Sequence, residues 1–280
     1  MLRPLDYILD YEGNFWIVSF YQNHTICGKR IYVPDKNGER YHPVLKQRYK
    51  KEVSGYLPIP AKFIEAFYPI ECFKNKKDSL SGVWKRYVEG LNKIGIPDQN
   101  IGIFGSILIG FDLKKDVDFV IYGQENLRLY AQNANFIKAY TNTNFISKEH
   151  IDYQLNKYGS RYNKNTDLKT ILERNWSGIQ LQSGVLSTPR FILEDHYEIP
   201  CRDGEDKVIT CKVLSGLSSA YMPRFVNVLY QDEEYKLITP FWMFQSFAKD
   251  NDKLLIAGNV NEKNKTILLS NKKDYLKFIN

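Results

Sequence analysis

Long apolar runs are what this sequence most plainly lacks. No stretch approaches the length that spans a bilayer, and the opening MLRPLDYILDYEG has no apolar core of the kind a signal peptide carries. Cysteine is scarce: Cys27, Cys72, Cys201 and Cys211 include no C-x-x-C pair, which argues against a zinc ribbon or a dithiol redox site. A reduced, cytoplasmic setting is the expectation. His24, His42, His150 and His196 show no metal-ligand spacing and read as structural or exposed. Gly102, Gly110 and Gly123 do not compose a G-x-G-x-x-G, and no G-x-x-x-x-G-K-[ST] is present, so neither nucleotide-binding fingerprint applies. Ser106 lacks the G-x-S-x-G elbow of a serine hydrolase. No internal repeat or low-complexity tract is visible.

What is present is an aromatic, basic chain. At 280 residues the chain can hold one large domain or two to three small ones, and aromatics are high at 14%, with 20 Tyr and 16 Phe. The net charge of +7 favours polyanionic partners without saying which.

Three segments emerge from the patterning, and together they predict an α+β protein. Residues 1–75 read as a β-rich module, with NFWIVSFYQ and TICGKRIYV joined by a turn at Gln22-Asn23-His24. The polar stretch DKNGERYHPVLKQRYKK reads as a loop, and Pro60 and Pro69 as the start and stop of a helix. Residues 76–195 read as a core of strands and helices. Its first helix runs through VWKRYVEGLNKIG behind Ser79 or Ser81, and others follow at Glu125–Tyr140, Lys148–Tyr158 and Asp167–Asn175. RFILE is a later strand. Residues 196–280 return to short strands, VITCKVLS, PRFVNVLY, EYKLITPF, KLLIAGNV and TILLS, at a spacing that suggests a small barrel or sandwich; an OB-like barrel is one option.

The densest chemistry lies in IGIFGSILIGFDLKKDVDFVIYG, residues 101–123. It reads as a strand, a Gly105-Ser106 turn, a short helix, a loop, and a second strand bearing Asp116 and Asp118. Strand side chains alternate, so both carboxylates leave one face while Val117 and Phe119 enter the core. Two neighbouring carboxylates repel unless a cation joins them, and oxygen ligands of this type suit Mg²⁺ with substrate phosphates.

At Phe104, Gly105, Ser106, Asp116, Val117, Asp118 and Phe119 the chain resembles the DNA polymerase beta superfamily of nucleotidyltransferases. The signature of that superfamily is an apolar residue, Gly-Ser or Gly-Gly, a gap of nine to thirteen, then Asp-apolar-Asp/Glu-apolar. Over most of its length the chain also resembles a prokaryotic group of uncharacterised predicted nucleotidyltransferases. That likeness rests on LDYILDYEGNFWIVSFYQ, Tyr32-Val33-Pro34, the core motif with DVDFVIYGQENLR, and the tail ITCKVLSGLSSAYMPRFVNVLY. The resemblance implies a polymerase-beta-like core of mixed sheet and helices, flanked by the two β modules. It further implies transfer of a nucleoside monophosphate from ATP or another NTP to a hydroxyl, with release of pyrophosphate.

In that reading Asp116 and Asp118 are the catalytic and metal-holding pair for Mg²⁺ or Mn²⁺. Gly105 and Ser106, at the opening of a helix, receive the β- and γ-phosphates, and Lys114 or Lys115 touches a phosphate or stays in a solvated loop. The third carboxylate of the superfamily is assigned to Glu194, with Asp195 and Glu198 as alternatives; the usual apolar-Asp-apolar pattern is absent there. Arg161, Lys164, Arg174 and Arg190 are candidate phosphate or acceptor contacts, and Trp176 and Tyr162 candidate stacking platforms. Lys46, Arg48, Lys50 and Lys51 around Tyr49 read either as a nucleic-acid grip or as a solubilising loop. The expected acceptor is an RNA or DNA end. Protein nucleotidylation of the toxin type, a small-molecule acceptor, and a non-catalytic nucleic-acid or nucleotide-binding role on the same fold are the alternatives.

Overall fold

The computed structural model of the chain describes residues 2–111, 117–144, 146–180, 186–187, 189–193 and 198–279. Contacts divide it into two compact units, Met1–Asn142 with Ser187–Glu198, and Thr143–Leu186 with Ile199–Asn280. The first unit therefore takes in both the leading β segment and the strands that carry the Gly-Ser and Asp motif.

The first unit begins with a seven-stranded sheet: β1 (Tyr7–Leu9), β2 (Phe15–Gln22), β3 (Thr25–Pro34), β4 (Arg40–His42), β5 (Gln47–Lys51), β6 (Leu57–Pro58) and β7 (Glu65–Phe67). The order is β4-β5-β3-β2-β1-β7, with β6 on β3. Asn23 and His24 connect β2 to β3 at φ 47° and 60°, the doubly left-handed turn that suits the twist of a two-residue hairpin. The stretch expected as a loop instead forms the β4–β5 hairpin. His42 and the fully buried Tyr49 point inward while Arg48 and Lys50 face water, so a half-buried strand hides inside a polar composition.

Pro69 does not stop a helix; it starts one. It is the first residue of α1 (Pro69–Lys76), where its missing N–H costs nothing and its fixed φ suits the first turn. No helix begins at Pro60, which lies between β6 and β7.

A three-stranded sheet follows, built from β8 (Ile101–Phe104), β9 (Asp118–Tyr122) and β12 (Arg190–Ile192) in the order β12-β9-β8. β8 runs antiparallel to β9, and β12 runs parallel to it. α1 packs so closely on β8 that a Cβ at Gly102 would stand 2.7 Å from the Cβ of Pro69. The helices α2 (Gly82–Lys93) and α3 (Gln124–Thr141) are the expected ones. Tyr87 of α2 meets Phe119 of β9 with ring centroids 4.9 Å apart. The apolar face Phe119–Ile121 is thus buried, which fixes the register of β9 and turns Asp118 the other way.

The second unit holds α4 (Lys148–Tyr158), α5 (Leu168–Glu173), β10 (Ile179–Gln180), β11 (Leu186–Ser187) and a closed barrel. Its five strands are β13 (Glu205–Ser215), β14 (Arg224–Tyr230), β15 (Glu233–Thr239), β17 (Thr266–Leu268) and β16 (Lys253–Asn261), paired in that order. β16 then pairs back onto β13 from Glu205↔Val260 to Lys212↔Lys253 and closes the ring. Closure removes the open edges that strands otherwise present. β15 and β17 are parallel, the other pairs in the ring antiparallel. A sixth strand, β18 (Tyr275–Ile279), adds to β16. Inward residues Ile209, Val213, Val226, Val228, Leu237 and Ile256 form one core with Ile171 and Leu172 of α5. The four cysteines are free. Among the described residues no helix is long and apolar enough to cross a membrane.

Candidate functional site

The site grows out of one pairing. Phe104, the last residue of β8, is opposite Asp118, the first residue of β9. The chain then turns at Gly105, whose φ is +76°. A Cβ on Gly105 would lie 2.6 Å from Oδ2 of Asp118, so the turn and the carboxylate touch and only glycine leaves room for both. Val117 and Phe119, on either side of Asp118, are buried while Asp118 is half-exposed.

Beyond Gly105 the segment does not become the expected helix. The stretch from Gly105 to Gly110 is a succession of turns. The amide of Phe111 donates to Ser106 O at 3.0 Å and that of Gly110 to Ile107 O at 3.1 Å. Gly110, at φ +85°, supplies a second left-handed corner that an α-helix would not contain. Ile107, Leu108 and Ile109 are buried and anchor the turn from below. No helix macrodipole therefore acts at Ser106. What remains for an anion is the backbone of the tight turn and the half-buried hydroxyl of Ser106.

The N-terminal sheet closes the other side. Nε2 of His42 donates to Ile109 O at 2.6 Å while its Nδ1 accepts the Leu45 amide at 3.1 Å, which assigns the neutral tautomer. Phe111 packs edge-on against Tyr32, His42 and Tyr49. The guanidinium of Arg40 lies 5.3 Å from the Tyr32 ring and 5.7 Å from that of Phe111. Tyr7 is within electrostatic reach of the same group. Burial above all holds its hydroxyl well above the ordinary phenol range, Tyr32 and Asp118 add to this, and Arg40 opposes it. Tyr7 therefore stays protonated. Tyr7, Tyr32 and Arg40 are far upstream of the motif, and no local pattern links them to it.

Lys114, Lys115, Asp116, Glu194 and Asp195 lie outside the described residues. Among the described residues before Glu194, β12 pairs with β9. Arg190 pairs with Val120 and Ile192 with Tyr122, four residues along β9 from Asp118 and about 13 Å at the rise of a strand. The alternative Glu198 accepts the His24 amide at 3.3 Å and bridges to Tyr21 at the turn end of β2–β3. Tyr32 is seven residues along β3 from Thr25, about 23 Å from that turn.

The other candidates fall in the second unit, at the start of β12 in the first unit, and in and just before β5. Arg174 is ion-paired with Asp252 at 2.5 Å and covers the Phe278 ring at 3.9 Å, a structural assignment. Tyr162 is buried against Phe241 and Phe244 rather than offered to a base. Arg161 lies over Tyr158, Lys164 is exposed, Trp176 is half-buried, and Arg190 opens β12 half-buried. Tyr49 is core, but Lys46, Arg48, Lys50 and Lys51 are exposed. Among the described residues no three His, Cys, Asp or Glu side chains converge on a common point.

No family model, curated protein or solved structure matches the chain.

Proposed function

We propose that the protein is a metal-dependent nucleotidyltransferase that joins a nucleoside monophosphate to a hydroxyl at a nucleic-acid end. The observation that carries this reading is the contact between the Gly105 turn and the Asp118 carboxylate, because it puts a phosphate cradle and a hard-oxygen ligand side by side. We read the β12-β9-β8 sheet with α2 and α3 as the polymerase-beta-like core, and the closed barrel as OB-like. That barrel type is used repeatedly for oligonucleotides, an argument by analogy of fold.

In the reaction the acceptor oxygen forms a bond to the α-phosphorus, the bond from that phosphorus to the β-bridging oxygen breaks, and pyrophosphate leaves. The acceptor proton passes to solvent or to a nearby carboxylate. A divalent cation held by Asp118, with Asp116 as the resemblance implies, would neutralise the phosphates, and carboxylate donors fit such an ion. The chain itself contributes turn amides and the Ser106 hydroxyl as donors to the terminal phosphates. Arg40 adds a positive charge on the side of the N-terminal sheet.

The engagement of Glu198, a described alternative for the third carboxylate, with the His24 amide at the β2–β3 turn favours a second reading, a nucleotide- or nucleic-acid-binding protein that does not turn over. Incubation with Mg²⁺, each α-labelled NTP, and separate RNA, DNA and protein pools decides between them. Label entering a nucleic-acid fraction, and lost in Asp118→Ala and Asp116→Ala, is the expected result. Label in protein would move the acceptor to a side chain. No label in any fraction, with nucleic acid still bound, would establish the second reading.

A further inference from the structure

The charge of the chain is concentrated in one place. Between Lys29 and Lys51 there are eight cations, Lys29, Arg30, Lys36, Arg40, Lys46, Arg48, Lys50 and Lys51, against two carboxylates, Asp35 and Glu39. That difference of +6 compares with +7 for the whole protein. The strands β3, β5 and β4 carry most of it, and their register sorts the side chains by face. Tyr41 is directly opposite Arg48, and Lys50 is opposite Val33 on the adjoining strand. These side chains share one face, while Arg40, His42 and Tyr49 share the other. Tyr41 is 52% exposed. Pro34, Asp35, Lys36, Lys46, Gln47 and Arg48 line a shallow cleft with it, three cations against one carboxylate. Among the described residues Lys36, Lys46 and Lys50 form no ion pair.

An exposed aromatic flanked by unneutralised cations is the arrangement that holds single-stranded nucleic acid, with stacking on a base and charge on the backbone. We infer that the outer face of the β4–β5 hairpin is a binding site for a single-stranded nucleic acid. Tyr41 stacks on a base there, and Lys36, Lys46, Arg48 and Lys50 contact phosphates. The hairpin's inner face is bonded through His42 to Ile109 of the Gly105–Phe111 turn, so a strand gripped outside is held on the element that also shapes the nucleotide site. The inference deepens the transferase reading by naming where the acceptor is held, and it rests on that reading for the word acceptor alone.

The test is fluorescence anisotropy with the full chain and a fluorescein-labelled single-stranded oligonucleotide of mixed sequence, in EDTA without NTP, over a salt series. Tyr41→Ala should weaken binding about tenfold or more. Lys46→Ala, Arg48→Ala and Lys50→Ala should each make the log–log salt slope shallower by about 0.7. The substituted side chains are exposed, and a thermal melt of each variant against the parent checks the fold. Wild-type protein that ignores the oligonucleotide, variants that bind as wild type does, or equal retention of polyglutamate would each overturn the site. Hairpin-dependent binding without any label transfer would uphold the site and sink the transferase reading; transfer unaffected by the four substitutions would do the reverse.

Discussion

Gly105 and Asp118 define the smallest scale at which function can be tested. A side chain at Gly105 meets two penalties, a left-handed backbone and a carboxylate oxygen where its Cβ would go. Gly105→Ala should cost about 1–2 kcal/mol from the backbone alone, read as a lower urea midpoint. Displacing Asp118 should reduce transfer by about 10²-fold, as misplacement by an ångström does elsewhere. Normal label transfer by Gly105→Ala would mean that the contact is packing and nothing more. A second residue-scale prediction concerns Asp6. Burial raises its carboxyl from 3.8 to about 7, with the hydrogen bond from the Arg3 amide opposing. The proton is thus bound more tightly in the folded chain, so this group's contribution is fully present below pH ~4 and is lost as pH rises through ~7. Asp6→Asn keeps an acceptor for Arg3 and should stabilise the protein at pH ~8 by as much as ~4 kcal/mol, with little effect at pH ~4. Melting curves at the two pH values check the sign; equal shifts at both would contradict it.

Among the elements, the β4–β5 hairpin has most to explain, since its inner face holds the turn and its outer face is basic. His42→Phe keeps an aromatic ring among Phe15, Tyr49 and Phe111 but leaves Ile109 O without its donor, a loss of about 1–3 kcal/mol for a buried carbonyl. The amides of Gly110 and Phe111 should then exchange with deuterium faster, while those of β16 should not. Unchanged protection would show that the turn holds itself. This hairpin also marks how far local sequence carries. The strands of the barrel and the helices α2 to α5 were legible because apolar periodicity is local. Arg40–His42 and Gln47–Lys51 were not, because only His42 and Tyr49 in that stretch point inward and every other signal there is polar. Pro69 was misread for a related reason, since a proline reads equally as a stop or a first residue until its neighbours are placed. Gly105, Ser106 and Asp118 were legible as a motif, whereas Tyr7, Tyr32 and Arg40 reach the site only through strand pairing that no local pattern encodes.

At the scale of the whole molecule, the chain passes between two compact units more than once, since each unit is made of two separate stretches. Each has its own core. The barrel closes on Ile209, Val226, Leu237 and Ile256, while the first unit buries its own apolar residues, among them Phe119, Ile121 and Phe191 and the cluster of Leu2, Ile8, Trp16, Val18 and Ile59. Two cores of this kind predict two calorimetric transitions rather than one, because cooperative unfolding follows contiguous packing. Leu237→Ala removes a side chain that is 1% exposed in the barrel and should cost about 2–5 kcal/mol. Scanning calorimetry should show one transition moving down while the other holds its temperature. The transition that holds should be the one raised by an NTP with Mg²⁺, because a ligand stabilises only the unit that binds it. If the nucleotide instead raises the transition that Leu237→Ala lowers, the site is on the barrel, and the assignment of the Gly105 turn as the phosphate cradle is wrong.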